Sequence, residues 1–233
     1  MSASHKVTQS KLVLKKVLKP ESLKKMSITK LGNYWTLNPL RSWYARRRLY
    51  HILEFTDLCL ERNRAIDFGC GAGYFLPSLS LIFSIACGLE LKSEWNERLK
   101  TNLDEHFSKN GYPNVSYQLV EVGSEFSAFE EESIDFISAA DILEHFTSEQ
   151  LANFMSESCR VLKKGGILAV SLPSENWIYH IFSSKDSGHV ANSSRAINSL
   201  VNRLGETFEL INYRFIFPFF KVVCYKKAKG ANE

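Results

Sequence analysis

The chain has 233 residues, 45% apolar and 23% charged, a globular balance that excludes wholesale disorder and suffices for one buried core. No apolar run approaches 18 residues, because Phe215 to Tyr225 is broken by Pro218 and Lys221, so no membrane-spanning helix is expected. The net charge is +4, the five cysteines are scattered without a C-x-x-C pair, and the first residues lack the apolar core of a secretory signal, so a reducing, cytoplasmic setting is expected.

The charge is unevenly spread. Residues 1–48 carry twelve Lys or Arg and one acid, Glu21, whereas the remainder carries a net −7. Residues 1–30 are therefore read as a basic arm, either a solvated tail or a segment that meets an anionic surface, lipid or nucleic acid. Within it Lys11 to Lys19 (KLVLKKVLK) has the make-up of a short amphipathic helix stopped by Pro20. Residues 31–63 mix aromatics with arginine and predict a helical cap that includes a helix over Trp43 to Leu60.

From residue 65 the pattern changes to alternating strand and helix. Ala65 to Phe68 reads as a buried strand, and Gly73 to Phe83 as the helix after it. Ser84 to Leu89 is a second strand. Ser93 caps a helix that runs to Asn110, with Gly111 just past it. Val115 to Val122 and Ile134 to Ala140 are the third and fourth strands. Thr147 and Gln150 have capping-box spacing and open a helix to Leu162. Lys164-Gly165-Gly166 is a turn before a fifth strand, Ile167 to Leu172. Residues 193–204 read as a helix, and Phe208 to Tyr213 and Phe215 to Tyr225 as two paired strands. This order predicts an α/β fold: a seven-stranded, mostly parallel sheet with helices on both faces and an antiparallel edge hairpin. Ligands are expected outside the carboxyl ends of the strands.

The most informative stretch is Asp67-Phe68-Gly69-Cys70-Gly71-Ala72-Gly73, D-x-G-x-G-x-G between a strand and a helix. Glycine lets the chain turn and lets a ligand approach the backbone. The spacing fails the dinucleotide pattern G-x-G-x-x-G, since Tyr74 stands at its third position, and it lacks the lysine of a P-loop. Glu90 ends the second strand, where an acid can accept hydrogen bonds from ribose hydroxyls.

These residues resemble the class I S-adenosylmethionine-dependent methyltransferases, with a Rossmann-like sheet. The loop from Asp67 to Gly73 matches the first motif of that family. Glu90 matches its ribose acid, Leu143-Glu144-His145 its "LEH" segment, and Arg160 to Gly166 its "R-V-L-K-P-G-G" turn, with Lys164 in place of proline. Asn38-Pro39-Leu40-Arg41 resembles a segment of ubiquinone-biosynthesis O-methyltransferases whose arginine contacts the cofactor. The resemblance implies S-adenosylmethionine as cofactor, held by Asp67, Gly69, Cys70, Gly71, Gly73, Glu90, Leu91 and Ala140, with Arg41 as a further contact. The aspartate that usually follows the third strand is missing; the segment reads Glu121-Val122-Gly123-Ser124-Glu125-Phe126, and the adenine contact is unassigned.

The resemblance covers about residues 35–226; the methyltransferase domain is expected over 31–233, with a helical cap over 31–63 and a substrate lid over residues 173–192. His145 and His189 are the candidate bases for deprotonating a hydroxyl acceptor. In a related branch an acid, a Glu-His pair and a later histidine bind metal, so Asp141, Glu144, His145 and His189 are the candidate ligands of a divalent ion; alternatively Glu144 and His145 brace the following helix. Aromatic residues in both lid segments, Tyr34, Trp35, Trp43, Tyr44, Trp177, Tyr179 and Phe182, suit an apolar substrate or a small core of the lid itself. The resulting expectation is a methyltransferase for a small-molecule or lipid-like acceptor, acting at oxygen, with peripheral attachment to an anionic membrane through the arm. The alternatives are an RNA or protein methyltransferase, or a non-catalytic cofactor binder. The amino-methylation motifs N-P-P-[YF] and D-P-P-Y and any RNA-binding module are absent from the sequence.

Overall fold

The computed structural model describes residues 39–173, 207–217 and 220–228. The basic arm, the lid beyond residue 173 with His189, and the helix expected over 193–204 lie outside the described residues. In chain order the elements are α1 (Pro39–Phe55), β1 (Arg64–Phe68), α2 (Leu76–Ser80), β2 (Ile85–Leu91), α3 (Glu94–Lys109), β3 (Val115–Val120), β4 (Ile134–Ala140), α4 (Ser148–Val161), β5 (Leu162–Pro173), β6 (Phe208–Ile216) and β7 (Phe220–Lys227).

The seven strands form one sheet in the order β3-β2-β1-β4-β5-β7-β6. The first five are parallel, and β7 runs antiparallel to both β5 and β6. The expected fold class and terminal antiparallel pair are therefore present. Since β6 opposes β7 and β7 opposes β5, the carboxyl ends of β1, β2, β4, β5 and β6 all lie at one end of the sheet.

Central strands buried on both faces account for the unbroken apolar runs. Ile134 to Ala139 of β4 is buried at every position, including Asp135 and Ser138. One face of the sheet packs on α4 around Phe68, Phe126, Phe146 and Phe154. The other packs on α1 and α2 through Ile52, Leu53, Phe75, Leu79 and Phe136. A smaller cluster of Tyr74, Leu103, Phe107 and Tyr117 joins α3 to β3.

Element boundaries follow from local chemistry. α1 opens on Pro39, which is pre-set for the first turn of a helix, and a short 3-10 turn, Thr56–Leu58, replaces its expected last residues. Ser93 caps α3 by accepting from the Asn96 N–H at 3.2 Å. The capping box of α4 is complete: Gln150 N–H donates to Thr147 Oγ1 at 3.2 Å and Thr147 N–H to Gln150 Oε1 at 2.8 Å. Two expectations are corrected. The helix after the glycine loop starts at Leu76 rather than Gly73, because Gly73 (φ +68°) is left-handed and Pro77 suits only a first turn. Residues 164–166 are not a free turn but an irregular part of β5, where Gly165 (φ +77°) accompanies a register shift against β4.

At the amino end of the sheet, buried Asp135 accepts from the Asn63 and Arg64 N–H groups at 2.9 and 2.7 Å and from Lys163 Nζ at 2.8 Å. That carboxylate ties β1, β4 and β5 together at the end away from the glycine loop.

Candidate functional site

The glycine loop leaves β1 and bends over the end of β2. The Gly69 and Cys70 N–H groups both donate to the Leu89 carbonyl, at 2.9 and 3.2 Å, and Gly73 N–H donates to the Cys70 carbonyl at 2.9 Å. Gly69, Gly71 and Gly73 all have positive φ, 68°, 53° and 68°. Their surroundings differ. A Cβ on Gly69 would stand 2.9 Å from Ile142 Cγ1, and one on Gly73 would stand 3.0 Å from Phe107 Cζ. A Cβ on Gly71 would meet nothing within 4 Å, so this residue faces open space. Gly88 of β2 lets the loop settle, since a Cβ there would be 2.7 Å from Cys70 Sγ.

Glu90 is fixed against the loop. Its Oε2 accepts from the Gly71 N–H at 2.7 Å and its Oε1 from the Leu91 N–H at 2.9 Å. Tyr117 of β3 holds the opposite side, donating its hydroxyl to the Gly71 carbonyl at 2.9 Å. Gly71 is thus pinned through both its backbone groups. Sequence reasoning missed Tyr117, because an aromatic residue in a strand reads as core.

Asp67 is buried at the end of β1, and Ser138 of β4 donates its hydroxyl to Asp67 Oδ1 at 2.7 Å. Burial pushes the Asp67 carboxyl up to about 7; the Ser138 hydrogen bond pulls it down and the Glu90 charge pushes it up further.

At the end of β4, Asp141 takes a positive φ of 57° and pairs with Arg48 of α1. Ser171 of β5 donates its hydroxyl to the same Asp141 Oδ1 at 3.3 Å. The Arg48 guanidinium lies 3.9 Å from the Phe220 ring centroid, and the residue is only 3% exposed. Leu143–His145 forms a 3-10 turn in which Glu144 is buried and His145 exposed. Burial and the Asp141 charge push the Glu144 carboxyl up, against weaker effects of a backbone hydrogen bond and Arg48.

Glycine loop, ribose-type acid and strand order all agree with one comparison. The family described as Methyltransferase domain matches residues 66–170. Residues 66–170 form a class I S-adenosylmethionine-dependent methyltransferase domain. Over 144 residues, 60% of the chain, the domain is 25% identical to a ubiquinone biosynthesis O-methyltransferase of Rhodopseudomonas palustris, covering 53% of that protein. The chain thus spans about half the length of the curated relatives it matches. In structure it resembles magnesium protoporphyrin IX methyltransferase from Synechocystis PCC 6803 with bound SAH (TM-score 0.61, 12% identity, 89% of this chain and 94% of that one). It also resembles the [4+2]-cyclase SpnF (TM-score 0.67, 15% identity, 95% and 97%). The two likenesses show a shared fold.

The residues of the methyltransferase loop fit S-adenosylmethionine. Open space at Gly71, where any side chain would project outward, lies beside an acid fixed at the end of β2, a pairing whose shape and chemistry suit a nucleoside. Cys70 contributes packing, its side chain turned against Gly88 and buried. Leu91 and Ala140 end β2 and β4 at the same edge, half-buried. Arg41 lies in the first turn of α1, and its side chain is outside the described set. In the turn after β3, Gly123 N–H donates to Glu125 Oε1 at 3.0 Å, and Phe126 belongs to the core.

Three of the four candidate metal ligands, Asp141, Glu144 and His145, lie among the described residues. Among the described residues no group of three or more His, Cys, Asp or Glu side chains is placed to hold a metal ion. The reason is local: Asp141 is engaged by Arg48, Glu144 is buried within the turn, and His145 points to the exposed side. His189 lies outside the described residues. The structure thus brings Asp67, the three glycines and Glu90 together at the ends of β1 and β2, and places Arg48, which sequence reasoning passed over, at the end of β4.

Proposed function

We propose that this domain methylates an oxygen of a small, apolar or lipid-like acceptor. The observation that carries the reading is the Gly71 cradle, fixed by Glu90 and Tyr117 and open on its outer side. When bound, S-adenosylmethionine supplies an electrophilic methyl group. Glu90 binds and orients the nucleoside sugar, the loop backbone holds the rest, and buried Asp67, bonded to Ser138, braces the start of the loop. Orientation of this kind supplies much of a transfer enzyme's rate. A hydroxyl acceptor must lose its proton, and we assign that role to His145, with His189 as the second candidate; a positioned base contributes roughly 10²–10⁴ in rate.

Oxygen as the methylated atom is supported by the name of the Rhodopseudomonas relative. An apolar acceptor body is supported by exposed aromatic residues at the ligand end. Trp43 of α1 and Phe215 and Phe217 at the end of β6 are all at least half exposed, and Tyr44 joins the two groups by donating to the Phe217 carbonyl at 3.0 Å. Labelled-methyl transfer to a panel of phenols, catechols, aliphatic alcohols, peptides and RNA tests the reading. Methyl ether formation supports it, and methylation confined to peptide or RNA overturns it.

The same aromatic rim, beside exposed Arg46 and Arg47, also favours a membrane surface as the place where the acceptor is met. The basic composition of residues 1–30 adds to that charge, at about 1 kcal/mol per basic residue near an anionic bilayer. Among the described residues no helix is long and apolar enough to cross a membrane. Co-sedimentation with anionic but not neutral vesicles, weakened by salt, is the expected result; a protein that stays in the supernatant at low salt but shifts with RNA contradicts it.

A further inference from the structure

Glu132 and Asp141 are the non-glycine residues with positive φ among the described residues. Glu132 sits in an exposed turn, whereas Asp141 ends the central strand β4 beside the glycine loop. An L-residue in the left-handed region is crowded by its own Cβ, so surrounding contacts must hold it there. For Asp141 those contacts are the ion pair with Arg48 and the Ser171 hydroxyl. Arg48 is itself clamped, buried between α1 and the Phe220 ring. The next residue, Ile142, fills the space beside Gly69, its Cγ1 only 2.9 Å from where a Cβ would stand.

We propose that Arg48 is a positioning residue of the cofactor loop: by holding Asp141 left-handed it presses Ile142 against Gly69 and sets the path of residues 69–73. Without the ion pair, Asp141 relaxes towards the extended backbone that an L-residue prefers, Ile142 withdraws, and Gly69 gains conformations that do not place Gly71 under Glu90 and Tyr117. The helix that caps the sheet is thereby coupled to cofactor affinity without touching the cofactor. This inference rests on the reading of the loop as a cofactor site, and one arm of its test does not.

The test uses the full chain carrying Arg48→Met, Arg48→Lys or Lys163→Met. The last breaks the ion pair with Asp135 at the opposite end of β4 and serves as the structural control. Two quantities are read: hydrogen exchange across residues 66–76 in the ligand-free protein, and calorimetric affinity for S-adenosylhomocysteine. Arg48→Met is expected to speed exchange in the loop and weaken binding roughly 5- to 30-fold, within the usual span of coupling between sites. Arg48→Lys should restore much of both, and Lys163→Met should lower the melting temperature while leaving both unchanged. Should Arg48→Met fail to fold, Asp141→Ala, which removes the carboxylate and leaves no polar side chain to favour the left-handed backbone, carries the same readouts. Unchanged loop exchange in the folded Arg48 or Asp141 variant, or equal changes in Lys163→Met, overturns the proposal. If the wild-type chain binds no S-adenosylhomocysteine, the cofactor reading falls and loop exchange alone decides the coupling.

Discussion

Gly69 and Gly71 share a left-handed backbone but do different work. An alanine at either position costs about 1–2 kcal/mol from the unfavourable φ. At Gly69 the new methyl also collides with Ile142, adding about 1–3 kcal/mol of overpacking. At Gly71 it meets no protein atom and projects to the open side of the cradle. Gly69→Ala should therefore show the larger loss in urea-denaturation stability, and Gly71→Ala the larger loss of S-adenosylhomocysteine affinity, at least tenfold by calorimetry. Equal affinity losses from the two would remove Gly71 from the site. Asp67 gives a second residue-scale prediction. Its carboxyl is raised from 3.8 to about 7 in the folded chain, so the folded state holds the proton more tightly than the unfolded state. Its contribution to stability is then greatest below about pH 4, falls as pH rises to about 7, and is level above that. Ligand-free Asp67→Asn lacks this titration, so its stability relative to wild type should improve between about pH 4.5 and pH 8, by a few kcal/mol at most. Parallel pH profiles for the two proteins would place the titrating group elsewhere.

Among the elements, α4 shows local sequence and tertiary packing in agreement. Thr147 and Gln150 close a reciprocal cap, and the buried face of the helix, Leu151, Phe154, Met155 and Ser158, covers β4 and β5. Thr147→Ala should cost about 1 kcal/mol in chemical denaturation and leave cofactor affinity unchanged, since the cap's hydrogen bonds run only between Thr147 and Gln150. Apart from α2, the capped or β-rich segments from β1 to α4 are readable because each carries its own signal: burial on both faces, a capping side chain, a glycine past the end. α2 was misread in length because its apolar residues, Leu76, Leu79 and Phe83, have helical spacing although turns occupy both flanks. The start of β5 was misread because glycine pairs mark turns and bulges alike, and the partner strand decides between them.

For the whole molecule, the sheet places two kinds of buried carboxylate at opposite ends. Asp135, at the amino end, is satisfied by two N–H groups and Lys163 and serves architecture. Asp67, at the carboxyl end, is held by one hydroxyl and is strongly shifted, as expected where a strand end faces a ligand site. Ligand binding to the folded chain alone must raise its stability. At 100 times its dissociation constant S-adenosylhomocysteine contributes about 2.7 kcal/mol, or a melting shift of roughly 5–10 °C for a chain of this size. Thermal unfolding with and without ligand measures it, and a shift equally produced by adenosine monophosphate at the same concentration would mean that the cradle does not discriminate the cofactor.

Fold class, the loop from Asp67 to Gly73, the acid Glu90 and the cap of α4 are all legible in the order of the residues alone. Each of these depends on residues close together in the chain, whose backbone requirements are stated by their own chemistry. Tyr117, Ser138 and Arg48 take their roles from tertiary contacts that nothing local announces. Tyr117 reaches Gly71 across 46 positions, Ser138 reaches Asp67 across 71, and Arg48 reaches Asp141 across 93. An arginine in a basic helix carries no local mark of the carboxylate it will meet. Its partner is chosen when α1 docks on the sheet, and that docking sets Arg48 beside Asp141.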